Sequence, residues 1–137
     1  IENHAVYENI GYGRIYRLEE AISTDTLLSM VKKAFGCTVV RYTDSGKLIQ
    51  KVALMSGSGG SSYELAAAKG IDAYITGDVK HDQWIGASNI GLTMLDAGHF
   101  HTENIILEYL LEKIKLQFPE IDIEIAKSNK DVVKYSV

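Results

Sequence analysis

The chain has 137 residues, 46% of them hydrophobic and 23% charged, which is enough for one buried core and too short for two full-sized domains. With 18 acidic groups against 14 basic ones the formal net charge is −4, so there is no broad basic surface to neutralise a phosphate backbone, and nucleic acid is a poor expectation as partner. The longest uncharged run, Gln83 to Leu95, has 13 residues and includes polar and Gly positions, well below the about 20 apolar residues that a membrane helix needs.

Residues 1–12 show no steady period and run into Gly11-Tyr12-Gly13, which predicts a flexible lead-in or linker, with one α/β domain over 13–137. Arg14 to Glu19 alternates in the manner of a half-buried strand. Ser23 then precedes Leu27, Leu28, Val31, Ala34 and Phe35 at helical spacing, closed by Gly36. A Ser accepts orphan amide bonds at a helix start and a Gly tolerates the left-handed turn that ends one, so this is an amphipathic helix. Thr38 to Thr43 is β-branched and aromatic, Asp44-Ser45-Gly46-Lys47 is turn chemistry and Leu48 to Met55 is again strand-like, which predicts a hairpin.

From Val52 onward strand, loop and helix alternate. Val52-Ala53-Leu54-Met55 leads through Gly57-Ser58-Gly59-Gly60-Ser61 into a short helix stopped by Gly70. Ala73-Tyr74-Ile75-Thr76 leads through Gly77-Asp78-Val79-Lys80 into a helix around His81 to Asn89. Leu92-Thr93-Met94-Leu95 leads through Asp96-Ala97-Gly98 into a long helix reaching about Phe118, and Ile121 to Ile125 supplies a last strand. Successive βαβ units predict a three-layer α/β/α fold on a mostly parallel sheet. In the long helix, Leu107, Leu111, Ile114 and Phe118 form one stripe with Ile106 and Leu110 beside it, read as core.

Parallel strands joined by crossovers of one hand put all three strand-to-helix loops on one sheet edge, the edge where ligands bind in open α/β sheets. Three of the four histidines, His81, His99 and His101, sit in or beside those loops. His99 and Glu103 lie one helical turn apart, so an imidazole nitrogen and a carboxylate oxygen converge either on a divalent ion such as Zn, Mn or Fe or simply on solvent. Asp96 is read either as the acceptor that orients His99 or as an Asx-turn or cap. Asp78, Lys80, His81 and Asp82 form a polar cluster suited to substrate binding or proton transfer, with Asp82 alternatively a helix cap. The loop Gly57, Gly59, Gly60 and Ser61 has the amides and the helix start that favour phosphate, yet lacks the ending of a P-loop, and a tight turn is its other reading.

The single cysteine, Cys37, has no partner for an internal disulfide and is read as a small core or strand-edge residue. With no signal-like or Arg-rich opening segment, a reducing cytoplasmic setting is expected. No Ser–His–Asp or Cys–His nucleophile arrangement is legible. Residue 1 is Ile rather than Met, which is read as the edge of a longer chain.

Three stretches together, Gly57-Ser58-Gly59-Gly60-Ser61, Tyr74-Ile75-Thr76-Gly77-Asp78-Val79-Lys80 and Asp96-Ala97-Gly98-His99-Phe100-His101-Thr102-Glu103, resemble the Nif-three-like dinuclear-metal proteins, also called type-two GTP cyclohydrolase I homologues. Gly13-Arg14-Ile15 and the ending from Ser128 to Lys134 look similar as well. The resemblance implies a ring-shaped hexamer with two metal ions in each whole subunit, and it carries His99 and Glu103 over as metal ligands. The other ligands it implies, an adjacent His pair and an Asp, belong to the family's N-terminal half. No two histidines are adjacent in this sequence, so the chain looks like the C-terminal half alone, with an incomplete site. Where relatives often have an aromatic residue followed by His, this chain has His81 and Asp82, and no catalytic role is carried onto either. The function so implied is a metal-dependent hydrolase acting on a phosphorylated or nucleotide-like small molecule, with ion-acidified water as nucleophile; the alternative is a non-enzymatic metal-binding scaffold or interaction module.

Overall fold

The computed structural model describes Glu2, Asn3 and residues 11–136. Of the expected lead-in, residues 1 and 4–10 lie outside the described residues; strands β1 (Glu2–Asn3) and β2 (Gly11–Tyr12) pair antiparallel.

The main sheet has five strands: β3 (Arg14–Ile22), β4 (Arg41–Thr43), β5 (Ile49–Leu54), β6 (Ala73–Thr76) and β7 (Thr93–Asp96), in the order β3-β5-β6-β7-β4. β5, β6 and β7 are parallel and central, while β3 and β4 close the two edges antiparallel. Every residue of β6 and β7 is buried, as expected of strands covered on both faces.

Alternation along these strands divides the core into two layers. Ala73, Ile75 and Leu95 face α1 (Thr24–Phe35), meeting Leu27 and Val31, and Cys37 is buried in the same cluster. Tyr74 and Met94 face the opposite side, against Ala66 of α2 (Tyr63–Ala68) and Ala87 of α3 (His81–Asn89). Both crossover helices thus cover one face and α1 the other, giving the three-layer α/β/α arrangement read from the sequence. The ends of α1 follow its capping chemistry: Ser23 Oγ accepts from the Thr26 amide at 3.2 Å, and Gly36 turns left-handed at φ 65°.

Four local expectations are corrected. The segment from Thr38 forms a strand only over Arg41–Thr43, and it pairs with β7 instead of making a hairpin with β5. The apolar β5 takes a central position beside β6, and its antiparallel partner is β3. Ile121 to Ile125 is not a strand, because β4 already occupies the sheet edge beside β7. The long helix is divided at Ile105 into α4 (His99–Asn104) and α5 (Ile106–Gln117). Its stripe is not core either: Leu107, Leu111 and Ile114 are only half-buried, and Ile106, Leu110 and Phe118 are exposed. With no later strand to bring the chain back over the sheet, α5 has no complete face to cover.

Candidate metal centre

The three strand-to-helix loops meet beyond the carboxyl ends of β5, β6 and β7, and threonine hydroxyls tie them together. Thr76 Oγ1, at the end of β6, accepts from the Gly59 amide at 3.0 Å and donates to the Gly57 carbonyl at 3.3 Å. Thr102 Oγ1, in α4, accepts from the Gly57 amide at 3.0 Å and lies 3.0 Å from the carbonyls of Gly98 and His99. Tyr74 adds a bond from its hydroxyl to the Gly59 carbonyl at 2.7 Å. A threonine at a strand end, as Thr76, or in a helix, as Thr102, is chemically ordinary in sequence, so nothing local marks these two as loop ties.

Glycine is required where the loops touch. A Cβ on Gly57, which sits at φ +66°, would overlap Glu103 Oε1 and come within 3.4 Å of His99 Nε2. A Cβ on Gly77 would stand 2.7 Å from the His99 amide nitrogen and 2.9 Å from the Gly57 carbonyl oxygen. Gly60 packs instead against the Gln83 side chain. In the glycine loop, the amides of Gly57 and Gly59 are therefore engaged by the fold itself.

His99 stands at the centre. Its Nδ1 lies 2.7 Å from Asp78 Oδ2, and its Nε2 lies 3.2 Å from Glu103 Oε2. An ionised carboxylate can only accept, so Nδ1 carries the hydrogen toward Asp78. In the neutral ring that leaves Nε2 as a lone-pair acceptor facing the carboxylate oxygen of Glu103. Two acceptors at this distance are held together only by a proton or a cation between them. The surroundings favour the proton: the hydrogen bond to Asp78 is the chief cause that holds the His99 pKa above its ordinary value, burial opposes it as the next-largest effect, and the charges of Glu103 and Asp78 add to the rise. Asp78 reaches its place through a left-handed backbone at φ 52°, a conformation that Asp tolerates better than most residues.

The orienting role read for Asp96 belongs to Asp78. Asp96 is buried and spends its oxygens elsewhere: Oδ1 accepts from the Gly98 amide at 2.9 Å, closing the Asx-type turn, and Oδ2 accepts from the Val79 amide at 3.0 Å and pairs with the Arg41 guanidinium. Arg41, which the sequence reading did not single out, also lies over the Trp84 ring at 5.7 Å. Its position depends on β4 pairing with β7, for which the sequence carries no local signal. Within the polar cluster, Lys80 is the cap of α3, its amide donating to Gln83 Oε1 at 2.9 Å, while His81 and Asp82 are exposed in the first turn of that helix. His101 pairs with Asp131 at 3.4 Å.

A metal ion placed here would find two converging donors, His99 Nε2 and one Glu103 oxygen, with Asp78 on the far side of the ring in the position of the partner that metal-bound imidazoles usually have. Among the described residues no group of three or more His, Cys, Asp or Glu side chains is placed to share one ion. The donor set fits part of a site.

The family model described as Duf34/NIF3 (NGG1p interacting factor 3) matches residues 1–132. The chain belongs to the Duf34/NIF3 family. Family relatives include a GTP cyclohydrolase 1 type 2 homolog of Clostridium acetobutylicum, 30% identical over 98% of this chain and 52% of the relative, and a homolog of the same name from Clostridium perfringens, 28% identical over the same shares. Among solved structures, a Bacillus cereus protein related to NIF3 superposes with a TM-score of 0.77 at 25% identity over 92% of this chain and 36% of that one. A hypothetical protein of Staphylococcus aureus shares the fold at a TM-score of 0.77 and 23% identity, over 90% of this chain and 43% of its own. The chain thus spans about half the length of the curated Duf34/NIF3 relatives it matches. Among the described residues no helix is long and apolar enough to cross a membrane.

Proposed function

We propose that this chain supplies His99 and Glu103 to a dinuclear metal site, and that the whole protein is a metal-dependent hydrolase acting on a phosphorylated or nucleotide-like small molecule. The observation that carries the reading is the pair of lone-pair donors, His99 Nε2 and Glu103 Oε2, held 3.2 Å apart with Asp78 fixing the tautomer behind them. Zn, Mn or Fe suits an imidazole and carboxylate set, and the remaining donors come from residues beyond the described set. A bound ion of this kind would supply Lewis acidity and lower the pKa of water beside it. Asp78 keeps the His99 ring turned and its Nδ1 proton in place, while Gly57, having no side chain, leaves room for the Glu103 carboxylate. The amides of Gly57 and Gly59 already donate to threonine hydroxyls, so in this reading a phosphate takes its donors from other groups than these two. The working form is a cytoplasmic homo-oligomer, a hexamer as the family resemblance implies, with two ions in each whole subunit.

Elemental analysis and metal titration test this reading on the chain and on a version extended to the length of its relatives. The extended protein is expected to hold two transition-metal ions per subunit, and His99→Ala with Glu103→Ala is expected to weaken loading by well over about tenfold, the lower bound for losing even an outer partner of a ligand. Unchanged loading in the double variant would remove the ligand assignment. Full loading without hydrolysis of any phosphate ester would instead favour a non-enzymatic metal-binding scaffold.

A further inference from the structure

After α5 the chain turns back as a segment without regular structure, and its end is pinned beside the metal pair. His101 Nε2 meets Asp131 Oδ2 at 3.4 Å, with both side chains largely buried, and Asn129 Nδ2 donates to Asn104 Oδ1 at 2.6 Å. A further bond from the Val133 amide to Asp131 Oδ1, at 2.9 Å, sets the turn that follows. The two clasps tie residues 129 and 131 to α4, the same short helix that carries His99 and Glu103.

Between this segment, α4 and the edge strand β4 lies a cavity of about 950 Å³ whose wall includes His99 and Glu103. That volume is at the upper end of what small-molecule sites occupy. Its apolar surface includes Val39, Phe100, Ile106, Leu107, Val132 and Val133, and the last two belong to a segment that contributes nothing to either core cluster. Apolar residues held by polar clasps and left facing a cavity are poor economy for stability and suit a ligand.

The charges in the wall are unevenly spent. Asp96 is taken up by Arg41 and two amides, Asp131 by His101, and both Asp78 and Glu103 by His99. Among the described residues the Lys130 ammonium has no ion-pair partner. The Tyr135 phenol, its pKa raised by burial and then by Asp131 and Asp96, keeps its O–H as a donor. The uncommitted donors in this wall are therefore the Lys130 ammonium and the Tyr135 hydroxyl.

We propose that segment 129–135 is the outer wall of a binding site for a small flat molecule that joins an aromatic ring to an anionic group, the ring against Phe100 and Val133 and the anion at Lys130 and Tyr135. This deepens the reading of the protein as one that acts on a phosphorylated small molecule, because His99 and Glu103 open onto the same cavity.

Anilinonaphthalene sulfonate, a flat apolar anion that fluoresces when bound, is the probe. One saturable site is expected on the intact chain. Lys130→Glu and Val133→Asp are each expected to raise its dissociation constant by about tenfold, the loss of a charge-assisted contact or of apolar burial. Leu116→Asp is the control: Leu116 is 78% exposed on α5, outside the cavity, and its replacement is expected to leave binding unchanged. A nucleoside monophosphate is expected to displace the probe where inorganic phosphate at equal concentration does not. Equal binding in wild type, Lys130→Glu and Val133→Asp would overturn the proposal, as would an equal loss in Leu116→Asp, which would assign the probe to the exposed face of α5. Circular dichroism checks that each variant is folded. Metal loading is read separately on each variant: probe binding that Lys130→Glu and Val133→Asp leave unchanged, with loading lost in His99→Ala and Glu103→Ala, counts against this inference alone, and probe binding that responds as expected, with loading unaffected by His99→Ala and Glu103→Ala, counts against the metal reading alone.

Discussion

The paired strands β6 and β7 and the helix α5 are similarly rich in apolar residues, yet they end in opposite environments. All eight strand positions are buried, four in each strand, whereas α5 has no buried residue across its twelve. The difference lies in what each apolar face meets. The central strands have a helix layer on both sides, α1 on one and α2 with α3 on the other. α5 follows the last strand of the sheet, and β4 blocks the edge where a returning strand would give it a second surface. The densely packed half of the molecule is thus the half that aims Asp78 and His99, and the lightly packed half frames the space around them.

Substitutions should separate the two regions. Leu95→Ala, which empties a fully buried position of β7, is expected to cost about 2–5 kcal/mol, read as a fall in the denaturation midpoint. A cost below about 1 kcal/mol would mean the sheet centre collapses around the loss and is softer than its burial indicates.

Gly57→Ala comes next. Its left-handed backbone disfavours a side chain by about 1–2 kcal/mol. The new methyl also displaces the Glu103 carboxylate, so metal binding is expected to fall more than stability does. Equal metal affinity in this variant would show that Glu103 reaches the ion from another position.

A smaller effect comes from pH. His99 is held above its ordinary pKa chiefly by Asp78, so its charged form stabilises the fold. That contribution is complete below the unfolded value of about 6.5 and is lost as pH rises through the folded one. Metal-free protein is therefore expected to lose a little stability as pH rises above about 6.5, and Asp78→Asn to flatten that slope. An identical slope in the variant would break the assignment of the shift to Asp78. The smallest effect is expected on α5, where Leu116→Ser should stay within about 0.5 kcal/mol of wild type.

Much of the site was legible because its spacing is local. Ser23 and Gly36 bound a helix by cap chemistry alone, and His99 with Glu103 share one helical turn whatever surrounds them. The partner of the His99 ring was not legible, since Asp78 and Asp96 lie at the ends of neighbouring strands and both are near enough in sequence logic to serve. The left-handed turn at Asp78 and the capture of Asp96 by Arg41, Val79 and Gly98 decide between them. Arg41 and the His101–Asp131 clasp were equally hidden, because each joins elements far apart in the chain.

What the sequence by itself determined is the α/β class, the order of the three loops, the family resemblance and the one-turn spacing of His99 and Glu103. These rest on caps, periodicity and short motifs, all of which act over a few residues. Only the tertiary structure decided that β4 crosses to the far edge of the sheet, that Ile121 to Ile125 stays out of it, and that α5 keeps its apolar stripe half in solvent. Strand pairing and burial depend on competition between distant segments for the same edge or face, and that competition is settled by the whole chain at once.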